Sequence, residues 1–77
     1  MNQPDPQPAP GQVWLSRYTT GMYVAVTAVE GDRVRLIPVT VTPQGAVIPA
    51  VGRGRWASAG QLRRAYRLTD HVLESAR

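Results

Sequence analysis

Hydrophobic and polar positions along this chain alternate in short runs with a period of two, separated by residues that favour turns. The run that organises the others spans Tyr23 to Val41. It reads Tyr-Val-Ala-Val-Thr-Ala-Val, then Glu30-Gly31-Asp32, then Arg-Val-Arg-Leu-Ile-Pro-Val-Thr-Val. Two β-branched stretches around Gly31-Asp32 predict a β-hairpin. Its first strand, Met22 to Val29, is apolar on both parities, as expected of a central strand or one covered on its outer face. In the second, Arg33 and Arg35 alternate with Val34 and Leu36 and so point outward. Pro38 deletes a ladder donor, which predicts a bend or bulge that lets the sheet curl, with Val39-Thr40-Val41 continuing beyond it.

The remaining runs are shorter. Gln12 to Tyr18 reads as a first strand, with Val13 and Leu15 on one face and Trp14, Ser16 and Tyr18 on the other. Thr19-Thr20-Gly21 turns the chain into the hairpin. Pro43-Gln44-Gly45 is a turn, and Ala46 to Val51 is the return strand. Gly52-Arg53-Gly54-Arg55-Trp56 predicts a kink, with Arg53 and Arg55 on one side and Trp56, out of phase with Arg55, in the core. Ser58 stands three residues before Gln61, the spacing of a capping box, and Gly60 between them limits the expectation to one helical turn.

Leu62 to Leu68 reads two ways. As a helix it gathers Leu62, Ala65 and Tyr66 on one face and leaves Arg63, Arg64 and Arg67 mostly solvated. As a strand it turns Tyr66 and Leu68 inward and Arg63 and Arg67 outward. The Thr69-Asp70 punctuation favours a short turn and then a closing strand, with the helix kept as the alternative. Residues 70–77 are expected to form a short helical or disordered C-terminal tail, capped by Thr69 or Asp70. At the other end, proline at every second position from Pro4 to Pro10 predicts a disordered, extended leader over residues 1–10.

The expected architecture is therefore an all-β domain over residues 11–69. It is a small, strongly bent five-stranded barrel with one helical turn before the last strand, and closure removes sheet edges that so small a domain cannot otherwise protect. Gly11-Gln12-Val13-Trp14, followed by the Val-x-Val hairpin around Gly31-Asp32-Arg33-Val34, resembles the SH3-like small barrels, a superfamily that includes KOW-type and Tudor-type modules. It also resembles short proteins of GC-rich actinobacteria and their phages that open with a similar Gly-Gln-Val-aromatic strand and end near a tyrosine. The similarity covers roughly residues 11–68 and lies in hydrophobicity and turns, not in a diagnostic motif. The opening is also similar to ribonuclease toxins built on a related barrel, but their catalytic arginine with a threonine or serine has no match here.

Composition narrows the chemistry. A chain of 77 residues without cysteine has no disulfide framework and no thiolate metal site. One histidine and five carboxylates leave little material for any metal site. No apolar run approaches the ~20 residues of a membrane span, and no signal peptide opens the chain, so the expectation is a cytoplasmic protein with no membrane association and no cofactor. His71, the only imidazole, falls in the predicted tail; Glu30 and Asp32 flank a turn glycine, where they serve turn chemistry and solubility. Gly52-Arg53-Gly54 lacks the lysine and following helix of a phosphate loop. Nothing assembles a nucleophile and its base, and the expectation is a non-enzymatic protein.

The charge points to a partner. All nine basic residues are arginines, and the net charge is +4. A GC-rich genome explains arginine in place of lysine, but not the excess of positive charge. Arg33 and Arg35 neighbour one another on the hairpin, as do Arg53 and Arg55 on the next element and Arg63 and Arg67 on the last. If strand alternation gathers them, Trp14, Tyr18 and Tyr23 offer stacking faces beside a phosphate-binding surface. The ordinary reading of the same residues is a solvated arginine face and core aromatics. The sequence thus predicts a binding module for nucleic acid. The alternative is a protein–protein adaptor, of the kind a phage accessory or anti-defence protein would be, or a structural subunit with homo-oligomeric contacts.

Overall fold

The computed structural model describes residues 7–73. Most of the proline-rich leader and the end of the C-terminal tail lie outside the described residues. Within them the order is β1 (Gln12–Ser16), β2 (Tyr23–Glu30), β3 (Arg33–Val41), β4 (Val47–Pro49), β5 (Arg55–Ser58), α1 (Ala59–Ala65) and β6 (Tyr66–Val72). The sheet runs β4-β3-β2-β1-β6, all antiparallel, with β5 pairing the opposite half of β3's free edge. It curls into a half-barrel, so the chain is mostly β as its pattern predicts.

The hairpin forms where the turn chemistry placed it. Glu30 pairs with Arg33, and positive φ occurs at Gly31 alone of the two turn residues, as a type II′ turn requires. The bend expected at Pro38 lies elsewhere. Pro38 pairs in register with Val24, and the bulge is in β2, at Thr27, whose Oγ1 donates to the Arg35 carbonyl at 3.3 Å. A strand residue's N and C=O point to the same edge, and the Pro38 carbonyl accepts from Ala50 N. The missing donor therefore faces the β4–β5 side and costs the β2–β3 ladder nothing.

That edge explains why six strands form where five were expected. The pairing of β4 with β3 stops at Val39↔Pro49. The chain then crosses Pro38, where a Cβ on Gly52 would sit 3.3 Å from the proline ring. Pairing resumes as Leu36↔Arg55 through Arg33↔Ser58. The single return strand and kink of the sequence reading are thus two strands divided by a proline with no donor to give.

The helix is also longer than one turn. Ser58 Oγ accepts from Gln61 N at 3.0 Å and Gln61 Oε1 accepts from Ser58 N at 3.3 Å, a complete capping box. Seven residues follow despite Gly60, because Ala59 and Leu62 are buried against the sheet. Both readings of Leu62 to Leu68 hold in part. The helix persists to Ala65, and at Tyr66 the backbone turns extended (φ −134°, ψ 161°) to begin β6. Ser58→Ala is expected to lower stability by about 1 kcal/mol. The check is a lower urea midpoint at unchanged m-value; an unchanged midpoint would mean the box is not holding the helix.

β6 continues through Val72, where a short helical or disordered tail was expected from residue 70. The register between Gln12↔Val72 and Trp14↔Leu68 skips residues on β6, and Thr69 holds that bulge. Its Oγ1 donates to the Val13 carbonyl at 2.8 Å and accepts from His71 N at 3.2 Å. Leu73 N donates to the Gly11 carbonyl, and Gly11 N to the Val26 carbonyl. Gly11 makes this junction with φ +94°, which a side chain would strain. Residues 7–10 of the predicted leader are also tied in, through Gln12, whose side chain bonds Ala9 N and the Gln7 carbonyl.

The curled sheet buries residues on both faces. Trp14, Val24, Val26, Val34, Leu36, Leu62 and Tyr66 form the core beneath the helix. Val13, Ala25, Val39 and Leu73 form a second cluster, flanked by Tyr23, Ile37, Val41 and Val47. This is the structural meaning of the double-parity apolar run in β2.

Candidate functional site

Two of the three aromatics proposed as stacking faces are committed to packing. Trp14 is 1% exposed at the centre of the main core, and its Nε1 donates to Gln12 Oε1. Tyr23 is half-buried, with its ring edge-on to His71 at 6.0 Å. His71 is accordingly a packed strand residue and not part of a tail. Tyr18 is 80% exposed, because β1 ends at Ser16, whose Oγ accepts from both Tyr18 N and Thr19 N and turns the chain out of the sheet.

The arginines divide into two sets. Arg33 and Arg35 are on the outer face of β3, opposite Ser58 and Trp56 of β5. Since Val34 and Ala57 oppose one another toward the core, Trp56 faces outward, at 38% exposure, reversing its predicted place. The Arg33 guanidinium carbon lies 5.0 Å from the Trp56 ring centroid, a cation–π contact. The Arg35 guanidinium lies across Gly54, where an added Cβ would come within 2.7 Å of it. The structure itself uses both side chains, and Glu30 stands opposite Arg33.

The second set follows the flank of α1. Arg53 and Arg55 border a depression with Val24, Leu36, Pro38 and Tyr66. Arg55 faces the core side, opposite Leu36, and its Nη2 donates to Tyr66 Oη at 3.1 Å. A cleft of about 280 Å³ between β5 and α1 continues from there, sharing Leu36, Arg55 and Tyr66 and adding Ala57, Gln61, Leu62, Arg64 and Ala65. On its far side, Arg64 is shared with a third depression, lined by Trp14, Arg17, Gly60, Arg63, Arg67 and Leu68. Tyr18 borders the adjoining surface with Arg17 and Arg67.

Arg53, Arg55, Arg64, Arg63, Arg67 and Arg17 thus line three adjoining depressions, and among the described residues none that lines them is acidic. The local fold explains this crowding. Arg17 N donates to the Ala65 carbonyl, and Arg17 Nε to the carbonyls of Arg63 and Tyr66 at 3.3 and 3.0 Å. It supplies donors to the end of the helix, where carbonyls lack intrahelical partners and positive charge is favoured. Arg63 and Arg64 occupy the same last turn.

Four of the six predicted arginines therefore line this flank: Arg63 and Arg67 with Trp14, Arg67 also with Tyr18, and Arg53 and Arg55 with Tyr23. Arg33 and Arg35 belong to another face, with Trp56. Arg17 and Arg64 were not singled out from the sequence. The signal for Arg64 was the helical alternative, in which consecutive arginines end the helix; Arg17 gives no local signal, since its role depends on contacts with residues 63 to 66. Among the described residues no cluster of histidine, cysteine and carboxylates is placed to hold a metal ion, and no helix is long and apolar enough to cross a membrane. The chain matches no protein-family model, no curated protein and no solved structure.

Proposed function

We propose that the protein is a non-enzymatic module that binds nucleic acid along the arginine flank of α1, on an SH3-like half-barrel. The observation that carries the reading is the set of six arginines around three adjoining depressions that, among the described residues, have no acidic residue in their lining. A row of guanidinium groups suits phosphate oxygens, because each offers a planar fork of donors and releases counterions on binding. Exposed Tyr18 adds a stacking face beside Arg17 and Arg67. The barrel assignment is supported by the strand after the helix returning to pair with β1.

The test is fluorescence anisotropy with labelled single-stranded DNA, duplex DNA and RNA at two salt concentrations. Binding at about 10⁻⁶ M or tighter in low salt, weakening steeply as salt rises, is the expected result. The double variant Arg33→Ala/Arg35→Ala should bind within about threefold of wild type, since these side chains lie on Trp56 and Gly54, on the outer face of β3 and not the face that carries Arg55. No binding to any of the three at low salt sinks the proposal and turns the search to a protein partner.

A further inference from the structure

The central depression of the flank joins an apolar floor to a rim with cations on two sides. In the floor Leu36 and Leu62 are 1% exposed and Tyr66 8%, with Ala57 and Ala65 on the walls. Its rim is polar and rich in donors. Arg55 stands on the β5 side and Arg64 on the helix side. Tyr66 Oη accepts from Arg55, so its own proton is free to be donated. Gln61 spends Oε1 on the capping box, which leaves its amide N–H groups available. At about 280 Å³ the cleft falls below the ~300–1,000 Å³ that enclose a drug-sized ligand, which suits one planar ring and not a whole molecule.

We infer that this cleft receives a single unpaired nucleobase, so that the flank takes single-stranded nucleic acid in preference to duplex. The inference rests on the nucleic-acid reading and specifies its substrate class. Arg53 and Arg55 on one side, and Arg64, Arg63 and Arg67 on the other, place positive charge both before and after the cleft along the flank. A strand whose phosphates follow these arginines presents a base at the cleft between them. In a duplex that base is stacked and paired, and its ring cannot leave the helix without the energetic cost of extrusion. The donors at the rim match keto oxygens, which makes a thymine or uracil strand the natural probe.

The experiment compares wild-type protein binding to short oligo(dT), to an abasic oligomer of equal length and phosphate count, and to a duplex of equal length, at one salt concentration. Oligo(dT) is expected to bind at least about tenfold tighter than the abasic oligomer, with a similar salt dependence, and tighter than the duplex. Ala65→Phe, which crowds the cleft, should bring the oligo(dT)-to-abasic affinity ratio down toward one. Far-UV circular dichroism checks that the variant folds, and the wild-type comparison decides the matter without it. Equal affinity for oligo(dT) and the abasic oligomer overturns the base cleft while leaving the arginine flank as a backbone-binding surface. Duplex binding as tight as oligo(dT) overturns it likewise. Failure of all three ligands to bind removes both readings together.

Discussion

Alanine in place of Trp14 is expected to cost about 3–5 kcal/mol, the range for deleting a fully buried large aromatic side chain. Trp14 is 1% exposed and packs with Val24, Val26, Leu36, Leu62 and Tyr66, so its removal opens a cavity where the sheet meets the helix. A domain of this size holds about 4–11 kcal/mol in total, at the usual ~0.05–0.15 kcal/mol per residue. Loss of about a quarter or more of that should appear as a large fall in the urea midpoint, or as failure to fold at room temperature. Trp56→Ala is the matched control. Trp56 is 38% exposed and rests against Arg33, so its loss should cost about 1 kcal/mol or less. Equal costs for the two tryptophans would mean that the face assignments of β1 and β5 are wrong.

This contrast also shows what the sequence could and could not specify. Strand alternation correctly separated Val13 from Trp14, but alternation does not say which face of a sheet is interior when apolar residues lie on both. Trp14 was read as a candidate stacking face and Trp56 as core; the register of β5 on β3, through Val34↔Ala57, decides the opposite. That register depends on where β4 stops at Pro38, a contact between residues far apart in the chain. Local chemistry was legible wherever it was self-contained. The Gly31-Asp32 hairpin and the Ser58–Gln61 box both stand as read, because turn and cap geometry are set within four residues. The length of α1 was not legible, because burial of Leu62 and not propensity extends it past Gly60. The extension of β6 was not legible for a similar reason: Thr69 caps no helix, and its hydroxyl instead bonds the Val13 carbonyl across the sheet.

The same distinction applies to the arginines. Pairs at spacing two suggested strand faces, and for Arg33 and Arg35 that is correct. The flank could not be assembled this way, because its members come from the loop before β5, from β5, from the end of α1, from β6 and from the residue after β1. Only the return of β6 to pair with β1 brings Arg17 against the helix terminus and Arg67 beside it.

The largest functional effect is therefore expected from Arg63→Ala/Arg64→Ala/Arg67→Ala. These side chains line the flank, and among the described residues their guanidinium groups form no hydrogen bond to the backbone of the kind Arg17 forms at the helix end. The triple variant should keep its fold and its melting temperature within a few degrees. Exposed charge contacts contribute about 0.5–1 kcal/mol apiece, so three should weaken single-strand binding by roughly 10- to 100-fold at low salt. A second readout separates phosphate contacts from a general loss of structure. Each single-strand phosphate contact contributes ~0.7 to the slope of log K against log salt, so the slope should fall by about 2. The Arg33→Ala/Arg35→Ala variant should leave that slope nearly unchanged, although it removes two positive charges from the same protein. If both variants lowered the slope in proportion to the charge removed, binding would be a response to net charge, with no defined surface. If only the flank variant lowered it, the helix-end arginines would be the phosphate contacts, with Arg17 held among them by the carbonyls it bonds.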